Sequence, residues 1–149
     1  MSETKYGTSI SRCTKSRLEI LKYCESINFR PDENTLKILS KYGDIIIGEN
    51  HILGFDSPNR ANNDETPLII QITKYEQANG LPEGYLVIQR FTIGKHRPYE
   101  IIVVDEHGSL YQYQLERGLI KANSIKPLTT LLAGYLVELF TKWTYKHFV

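Results

Sequence analysis

Cysteine is nearly absent from this chain, and its scarcity excludes two classes of small protein. Cys13 and Cys24 are the only cysteines among 149 residues, so they can build neither a disulfide framework nor a four-ligand zinc site. On one helix their separation would place them about 16 Å apart along the axis, which is too far for a disulfide. The sequence therefore predicts a reduced protein.

An excess of charge of one sign and a long apolar run are also missing. Lysine plus arginine number 18 and aspartate plus glutamate 17, for a net charge of +1, so no overall field recruits nucleic acid or anionic lipid. The first residues lack the apolar run of a secretory signal, and no later run is long enough to span a membrane. We expect a cytoplasmic protein that contacts neither nucleic acid nor membrane directly.

Motifs for metal binding and nucleophilic catalysis are missing as well. No two of the four histidines have the spacing at which one strand or helix presents two ligands to a metal. There is no G-x-S-x-G motif, and the glycines are scattered singly rather than clustered before a helix. The histidines are His51, His96, His107 and His147. We therefore expect no metal, no cofactor and no enzymatic activity.

What is present is a change of hydrophobic period within residues 72–89. Apolar residues at helical spacing run to Ala78, after which Gly80 and Pro82 end the helix. From Tyr85 the period becomes that of a strand. Two helices are predicted earlier in the chain, one near 14–26 with the capping-box spacing S-x-x-E, and one over 31–43 that stops at Gly43. The apolar faces of these three helices are predicted to be Leu18, Leu21 and either Cys24 or Tyr23; Leu36, Leu39 and Tyr42; and Ile69, Ile72, Tyr75 and Ala78.

Two hairpins are also predicted, one on each side of this stretch. The first spans residues 45–55 around a turn at 48–50, and the second joins Tyr99–Asp105 to Ser109–Leu115 through Glu106, His107 and Gly108. One face of the strand Ser109–Leu115 should be at least partly exposed to solvent. Residues 118–122 are expected to form a short edge strand, and Ser124 to cap a long C-terminal helix with Pro127 in its first turn.

Together these elements predict one α+β domain. We expect a central, mostly antiparallel, twisted sheet of about five or six strands, with N-terminal helices, one mid-chain helix and a long C-terminal helix packed on it. Residues 1–12 show no period and are expected to be a mobile tail, so the domain should span residues 13–149.

Several local strings of this sequence resemble the SUKH superfamily of bacterial immunity proteins. They are the proline-initiated helix ending in LKILSKYG, the hairpin ending in ILGF, the helix TKYEQANGL followed by LVI, and the hairpin DEHGSLY. The resemblance covers roughly residues 14–140 and implies a non-enzymatic α+β protein. Such a protein binds a cognate polymorphic toxin, often a nuclease, and blocks it in the producing cell.

Candidate contact residues for such a partner fall in two places. Residues 56–66 are predicted to form a polar loop long enough to suggest function, and the late hairpin carries carboxylates and tyrosines that suit an interface. Carboxylates there could meet the basic groove of a nuclease and speed association. The candidates are Asp56, Arg60, Asp64, Glu65, Glu106, Tyr111 and Tyr113.

Two other functions remain open at this point. One is a regulatory protein-interaction module with the same fold. The other is a small hydrolase or nuclease that combines, for example, Asp105 with His51 or His107, which would require these groups to converge in a pocket. The sequence makes no prediction of the oligomeric state.

Overall fold

The structure is a computed structural model that describes residues 7–55, 58–59, 64–91, 99–115 and 124–148. The helices in these ranges are α1 (Arg17–Glu25), α2 (Glu33–Lys41), α3 (Leu68–Ala78) and α4 (Leu132–Phe148). The strands are β1 (Thr8–Arg12), β2 (Tyr42–Ile47), β3 (Asn50–Ile52), β4 (Pro58–Asn59), β5 (Asp64–Pro67), β6 (Tyr85–Phe91), β7 (Tyr99–Asp105), β8 (Ser109–Leu115) and β9 (Ser124–Leu131).

All the described strands pair antiparallel. They form sheets in the orders β1-β2-β3, β4-β5 and β6-β7-β8-β9. The backbone N–H of Leu53 donates to the carbonyl of Ile88 at 2.8 Å, so the chain just after β3 lies against β6. The predicted α+β domain with a C-terminal helix is confirmed, but the largest sheet formed by the described residues has four strands rather than five or six.

Helix α1 begins as predicted but buries a different face. The Ser16 hydroxyl accepts the Glu19 N–H, and the Glu19 carboxylate accepts the Ser16 N–H, which completes the capping box. Leu18, expected on the buried stripe, is 71% exposed, while Ile20 and Cys24 are buried. The helix has only nine residues, so apolar spacing alone did not determine which of its sides is buried.

Helix α2 ends by a different mechanism from the one predicted. Asp32 caps its N-terminus by accepting the Thr35 N–H at 3.1 Å. At the other end Tyr42 already has extended backbone, with φ −113° and ψ 138°, so the helix passes directly into β2. Gly43 therefore lies in a strand and is not the helix stop.

Helix α3 ends where the sequence predicts and is fastened to β6. Gly80 has φ +112°, which suits glycine after a last helical turn. The hydroxyl of Thr73 donates to the Ile69 carbonyl at 2.8 Å and accepts the Val87 N–H at 3.0 Å. Tyr75, which was expected on the buried stripe, is 61% exposed. The buried face of α3 therefore includes Thr73 and not Tyr75.

Part of the expected N-terminal tail is a strand. Residues 8–12 form β1, whose Ile10 lies opposite Ile45 of β2. All five side chains of β1 are exposed. This strand has a single apolar residue, so its sequence shows no alternation of apolar and polar residues. It is stabilised instead by backbone hydrogen bonds to β2, more than thirty positions away in the sequence.

The C-terminal helix begins later than predicted. Residues from Ser124 to Leu131 form β9, which pairs with β8 and places Pro127 opposite Tyr111. Because β9 is the outer strand of its sheet, a proline there can lack an N–H without breaking the interior ladder. Helix α4 starts at Leu132. The edge strand predicted at residues 118–122 lies outside the described residues.

The polar segment 56–66 is partly strand. Residues 58–59 and 64–67 pair as β4 and β5, so an irregular loop over the whole segment is a wrong prediction. Both predicted hairpins are confirmed, with Gly48 at φ +61° and Gly108 at φ +84° in their turns. Within the described residues no helix is both long enough and apolar enough to cross a membrane.

Candidate partner-binding site

The turn between β7 and β8 is held in one conformation by Asp105. Its Oδ1 atom accepts the backbone N–H groups of His107 at 2.8 Å and Ser109 at 2.9 Å. Its Oδ2 atom accepts the Tyr111 hydroxyl at 3.0 Å. This hydrogen bond raises the pKa of Tyr111, because loss of the phenolic proton would place two negative charges side by side. Three hydrogen bonds to one carboxylate make the turn a preformed structure.

The same turn is fastened to the segment between α1 and α2. Oε2 of Glu106 accepts the backbone N–H of Arg30 at 2.7 Å, across 76 positions of sequence. Gly108 lies against the N-terminus of α2, where a Cβ atom would come within 3.0 Å of an Asp32 carboxylate oxygen. Glu106 is exposed, but its carboxylate is fixed in direction. It therefore presents a localised negative charge at the rim of the turn.

An open cleft of about 560 Å³ lies between this turn and α1. Its apolar part comes from Leu21, which is 37% exposed, and from the buried Phe29. Carboxylates stand at two positions on the lining, Glu25 on α1 and Glu106 on the turn. The remaining lining residues are Asn28 and Arg30. We call this feature the turn cleft: an apolar floor with acidic walls and one basic neighbour.

Two tyrosines extend the surface beside the turn. The rings of Tyr85 and Tyr111 meet edge to face, with centroids 5.6 Å apart. Each is half-buried, so each presents part of its ring to solvent. Aromatic side chains fixed in this way lose little entropy on binding, which makes them suitable interface anchors.

The structure brings together two of the predicted contact residues and separates others. Glu106 and Tyr111 both belong to the turn region, because each bonds within or beside it. Tyr113 is 1% exposed, so a partner cannot reach its ring in this conformation, and its place among the contact residues was wrong. Burial raises the pKa of Tyr113, and the charge of nearby Glu76 adds to the effect.

Only part of the polar segment 56–66 lies within the residues that the structure describes. Asp64 and Glu65 lie in β5. Asp56 and Arg60 lie outside the described residues. The prediction that these four side chains contact a partner therefore stays a prediction.

Sequence reasoning missed five of the six residues that line the turn cleft. Leu21 was assigned to a buried stripe, and Glu25, Asn28, Phe29 and Arg30 were not singled out at all. No local signal indicates them, because the cleft exists only where the late hairpin meets the α1–α2 connection. The exposure of an apolar residue near acidic neighbours becomes informative only in three dimensions.

Two of the groups expected for a hydrolase, His51 and Asp105, are engaged in other hydrogen bonds. His51 lies on β3, and its Nε2 atom is 3.0 Å from Asp44 Oδ2. Asp44 Oδ1 accepts the Gly54 N–H at 2.8 Å. All three bonds described for the Asp105 carboxylate belong to its own hairpin. Among the residues that the structure describes, no three histidine, cysteine or acidic side chains lie close enough to hold a metal ion.

Comparisons with known proteins supply no relative from which a function could be transferred. No family model, no curated protein and no solved structure matches this chain. A functional proposal therefore depends on the turn cleft and on the short strings that resemble the SUKH superfamily.

Proposed function

We propose that this protein is a non-enzymatic immunity protein that binds a cognate toxin, a nuclease, in the cytoplasm of the cell that produces both. The observation that carries the proposal is the turn cleft, an apolar floor with carboxylates beside a turn fixed by internal hydrogen bonds. The resemblance to the SUKH superfamily supports the same function independently.

A preformed site suits tight inhibition. Because the Asp105 and Glu106 carboxylates are held before binding, a partner does not have to order them. Ordering side chains at an interface costs about 0.5–1.5 kcal/mol for each flexible one. A rigid turn therefore retains more of the contact energy as affinity.

The charge of the cleft matches the class of partner. A nuclease needs lysine and arginine side chains to hold phosphate groups. Glu25 and Glu106 offer carboxylates to such side chains, and Leu21 offers apolar surface to their aliphatic stems. Since the net charge of the chain is only +1, the attraction is local, and it should speed association at low salt.

Two alternatives receive less support. A hydrolase would use Asp105 as an acid or base, but this carboxylate already accepts three hydrogen bonds that shape its turn. A regulatory interaction module could use the same cleft with a different partner. The neighbouring gene distinguishes this last case, since only an immunity protein is expected to rescue cells from the toxin encoded beside it.

Survival of cells that co-express this chain with the adjacent toxin-like reading frame tests the proposal. We expect the wild-type chain to rescue growth and to co-purify with the toxin. Glu25→Lys should reverse a charge in the cleft and weaken rescue, whereas Glu138→Lys makes the same charge change on exposed α4 and should not.

Two outcomes contradict the proposal in different ways. Absence of rescue and of a complex, with a folded chain, would exclude immunity toward that toxin. Full rescue by Glu25→Lys with unchanged affinity would instead show that the toxin binds another surface.

A further inference from the structure

Strand β1 has an outer edge beside which the structure describes no other strand. The Gly48 N–H donates to the Gly7 carbonyl at 2.9 Å, which makes Gly7 a bonded position of the ladder with β2. Bonded and non-bonded positions alternate along an antiparallel pair. Ser9 therefore directs its backbone groups toward β2, whereas Thr8 and Ile10 direct their N–H and C=O groups outward.

This outer edge has few of the features that prevent strand addition. Natural edges are blunted by prolines, inward-facing charges or bulges. Residues 8–10 include no proline and no charge, and Ile10 is 56% exposed opposite the buried Ile45. A bulge follows between Ile10 and Arg12. The bulge limits the available edge to the short stretch that ends at Ile10.

We propose that β1 pairs with β1 of a second copy of this chain, antiparallel about a two-fold axis through Ser9. In this register Thr8 of each copy lies opposite Ile10 of the other. The two outward-facing residues of each copy then exchange N–H and C=O bonds, which gives four intermolecular hydrogen bonds. The two three-stranded sheets become one sheet of six strands.

The side chains suit this register. Ser9 lies opposite itself at the non-bonded position, where Cα atoms approach to about 4.5 Å and a small residue fits. Thr8 and Ile10 are both β-branched, which favours cross-strand packing on the shared face. Arg12 lies beyond the bulge, so no like charges meet across the axis.

An exposed aromatic ring lies near the start of β1. The Trp143 ring of α4 would come within 3.1 Å of a Cβ atom on Gly48, whose N–H bonds to Gly7. The ring of Phe140 lies beside that of Trp143, with centroids 6.1 Å apart, and Phe140 is 47% exposed. A second copy seated on the edge is expected to cover part of this ring, which adds apolar burial to the backbone bonds.

The second copy is the occupant that this edge fits best, because the pairing is self-complementary. Each outward residue finds its counterpart in an identical strand, as a two-fold interface requires. The inference is independent of the turn cleft, which lies between α1 and the β7–β8 turn.

A cysteine placed on the axis gives the most direct test. In Ser9→Cys chains the two sulfurs would lie opposite each other at a Cα separation that a disulfide can bridge. In Ser11→Cys chains the two Cα atoms would lie about 13 Å apart, which is too far. Cys13 and Cys24 are buried, so they should compete little with the introduced cysteine for disulfide formation. Mild oxidation should cross-link Ser9→Cys into a dimer and leave Ser11→Cys largely monomeric.

Analytical ultracentrifugation supplies a second test. We expect the wild-type chain to dimerise reversibly, and Ile10→Lys to raise the dissociation constant about tenfold or more, because it replaces an apolar pairing residue by a hydrated charge. Leu18→Lys adds the same charge on exposed α1 and should leave dimerisation unchanged.

Either of two results would overturn the inference. One is a wild-type chain that stays monomeric up to a few hundred micromolar. The other is cross-linking of Ser9→Cys that is no faster than that of Ser11→Cys. Thermal melting of each variant verifies that it is folded.

Discussion

Replacing Tyr135 by phenylalanine tests the polar contact that fixes α4 on the sheets. The Tyr135 hydroxyl donates to Oε1 of Gln89 on β6, and Nε2 of Gln89 donates to Oδ1 of Asn50 on β3 at 2.9 Å. One buried amide thus connects the C-terminal helix with both main sheets. Phenylalanine keeps the ring and its packing but removes the only hydrogen that the hydroxyl can donate.

The expected cost follows from what is left behind. Gln89 is buried, so its Oε1 atom would lose a donor that water cannot easily replace. A buried acceptor left unsatisfied costs about 1–3 kcal/mol in the free energy of unfolding. For a chain of this size each kcal/mol corresponds to about 3 °C in Tm. Urea unfolding followed by the fluorescence of Trp143, the single tryptophan, measures the change on the same helix.

Two further variants distinguish the effect of losing the Tyr135–Gln89 hydrogen bond from the effect of removing a tyrosine hydroxyl in general. Tyr145→Phe makes the same change at an exposed position of α4 and should alter stability by less than about 0.5 kcal/mol. In a double-mutant cycle, Tyr135→Phe and Gln89→Met should couple by about 1 kcal/mol or more. The reasoning is refuted if Tyr135→Phe is as stable as Tyr145→Phe, or if the coupling is absent.

Three other predictions concern stability. Gly54→Ala should destabilise the fold by about 3 kcal/mol or more in urea unfolding, because its Cβ would overlap the backbone carbonyl group of Gly43. Ser16→Ala should cost about 1 kcal/mol by removing the acceptor that caps α1. Burial raises the pKa of Cys24 to about 12 from 9.0. The unfolded chain therefore releases this proton first as the pH rises above 9, so stability should fall between pH 9 and 12, and less steeply in Cys24→Ala.

Each of these predictions has a matched comparison. Gly134→Ala, on the exposed side of α4, should stabilise by about 0.5–1 kcal/mol, and a Gly54→Ala variant as stable as wild type would contradict the close approach. Ser40→Ala should change stability little compared with Ser16→Ala, and equal losses would argue against the capping box. An identical alkaline slope in wild type and Cys24→Ala would show that this thiol does not contribute.

Features set by neighbouring residues were the ones that sequence predicted well. The capping box of α1 spans four residues, and the turns at Gly48 and Gly108 need only the backbone freedom of glycine. The end of α3 near Gly80 belongs to the same class. In each case the interactions that fix the structure lie within one or two turns of chain.

Features set by distant residues were missed. β1 gains its structure from β2, and β9 from β8, so neither carries a strong period of its own. The sequence predicts a helix that starts at Ser124 with Pro127 in its first turn, although pairing with β8 makes this segment a strand. In both β1 and β9, pairing with a neighbouring strand thus outweighs the local conformational preference of the sequence.

The same distinction between local and distant contacts separates the predicted from the unpredicted parts of the candidate site. Glu106 and Tyr111 were identified because one hairpin carries both. The contact between Glu106 and the Arg30 N–H, and with it the turn cleft, joins segments 76 positions apart and has no local signature. The burial of Tyr113 depends on what covers its face of β8, which alternation along a strand does not reveal.

Isothermal titration of the purified product of the neighbouring toxin-like gene with wild type, Leu21→Ala and Leu18→Ala shows whether a toxin binds at the turn cleft. Both leucines are exposed on α1, but only Leu21 lines the turn cleft. We expect a tight complex with wild type, an affinity about tenfold weaker for Leu21→Ala, and one within about twofold of wild type for Leu18→Ala. No binding by folded wild-type chain, or equal binding by both variants, would contradict it.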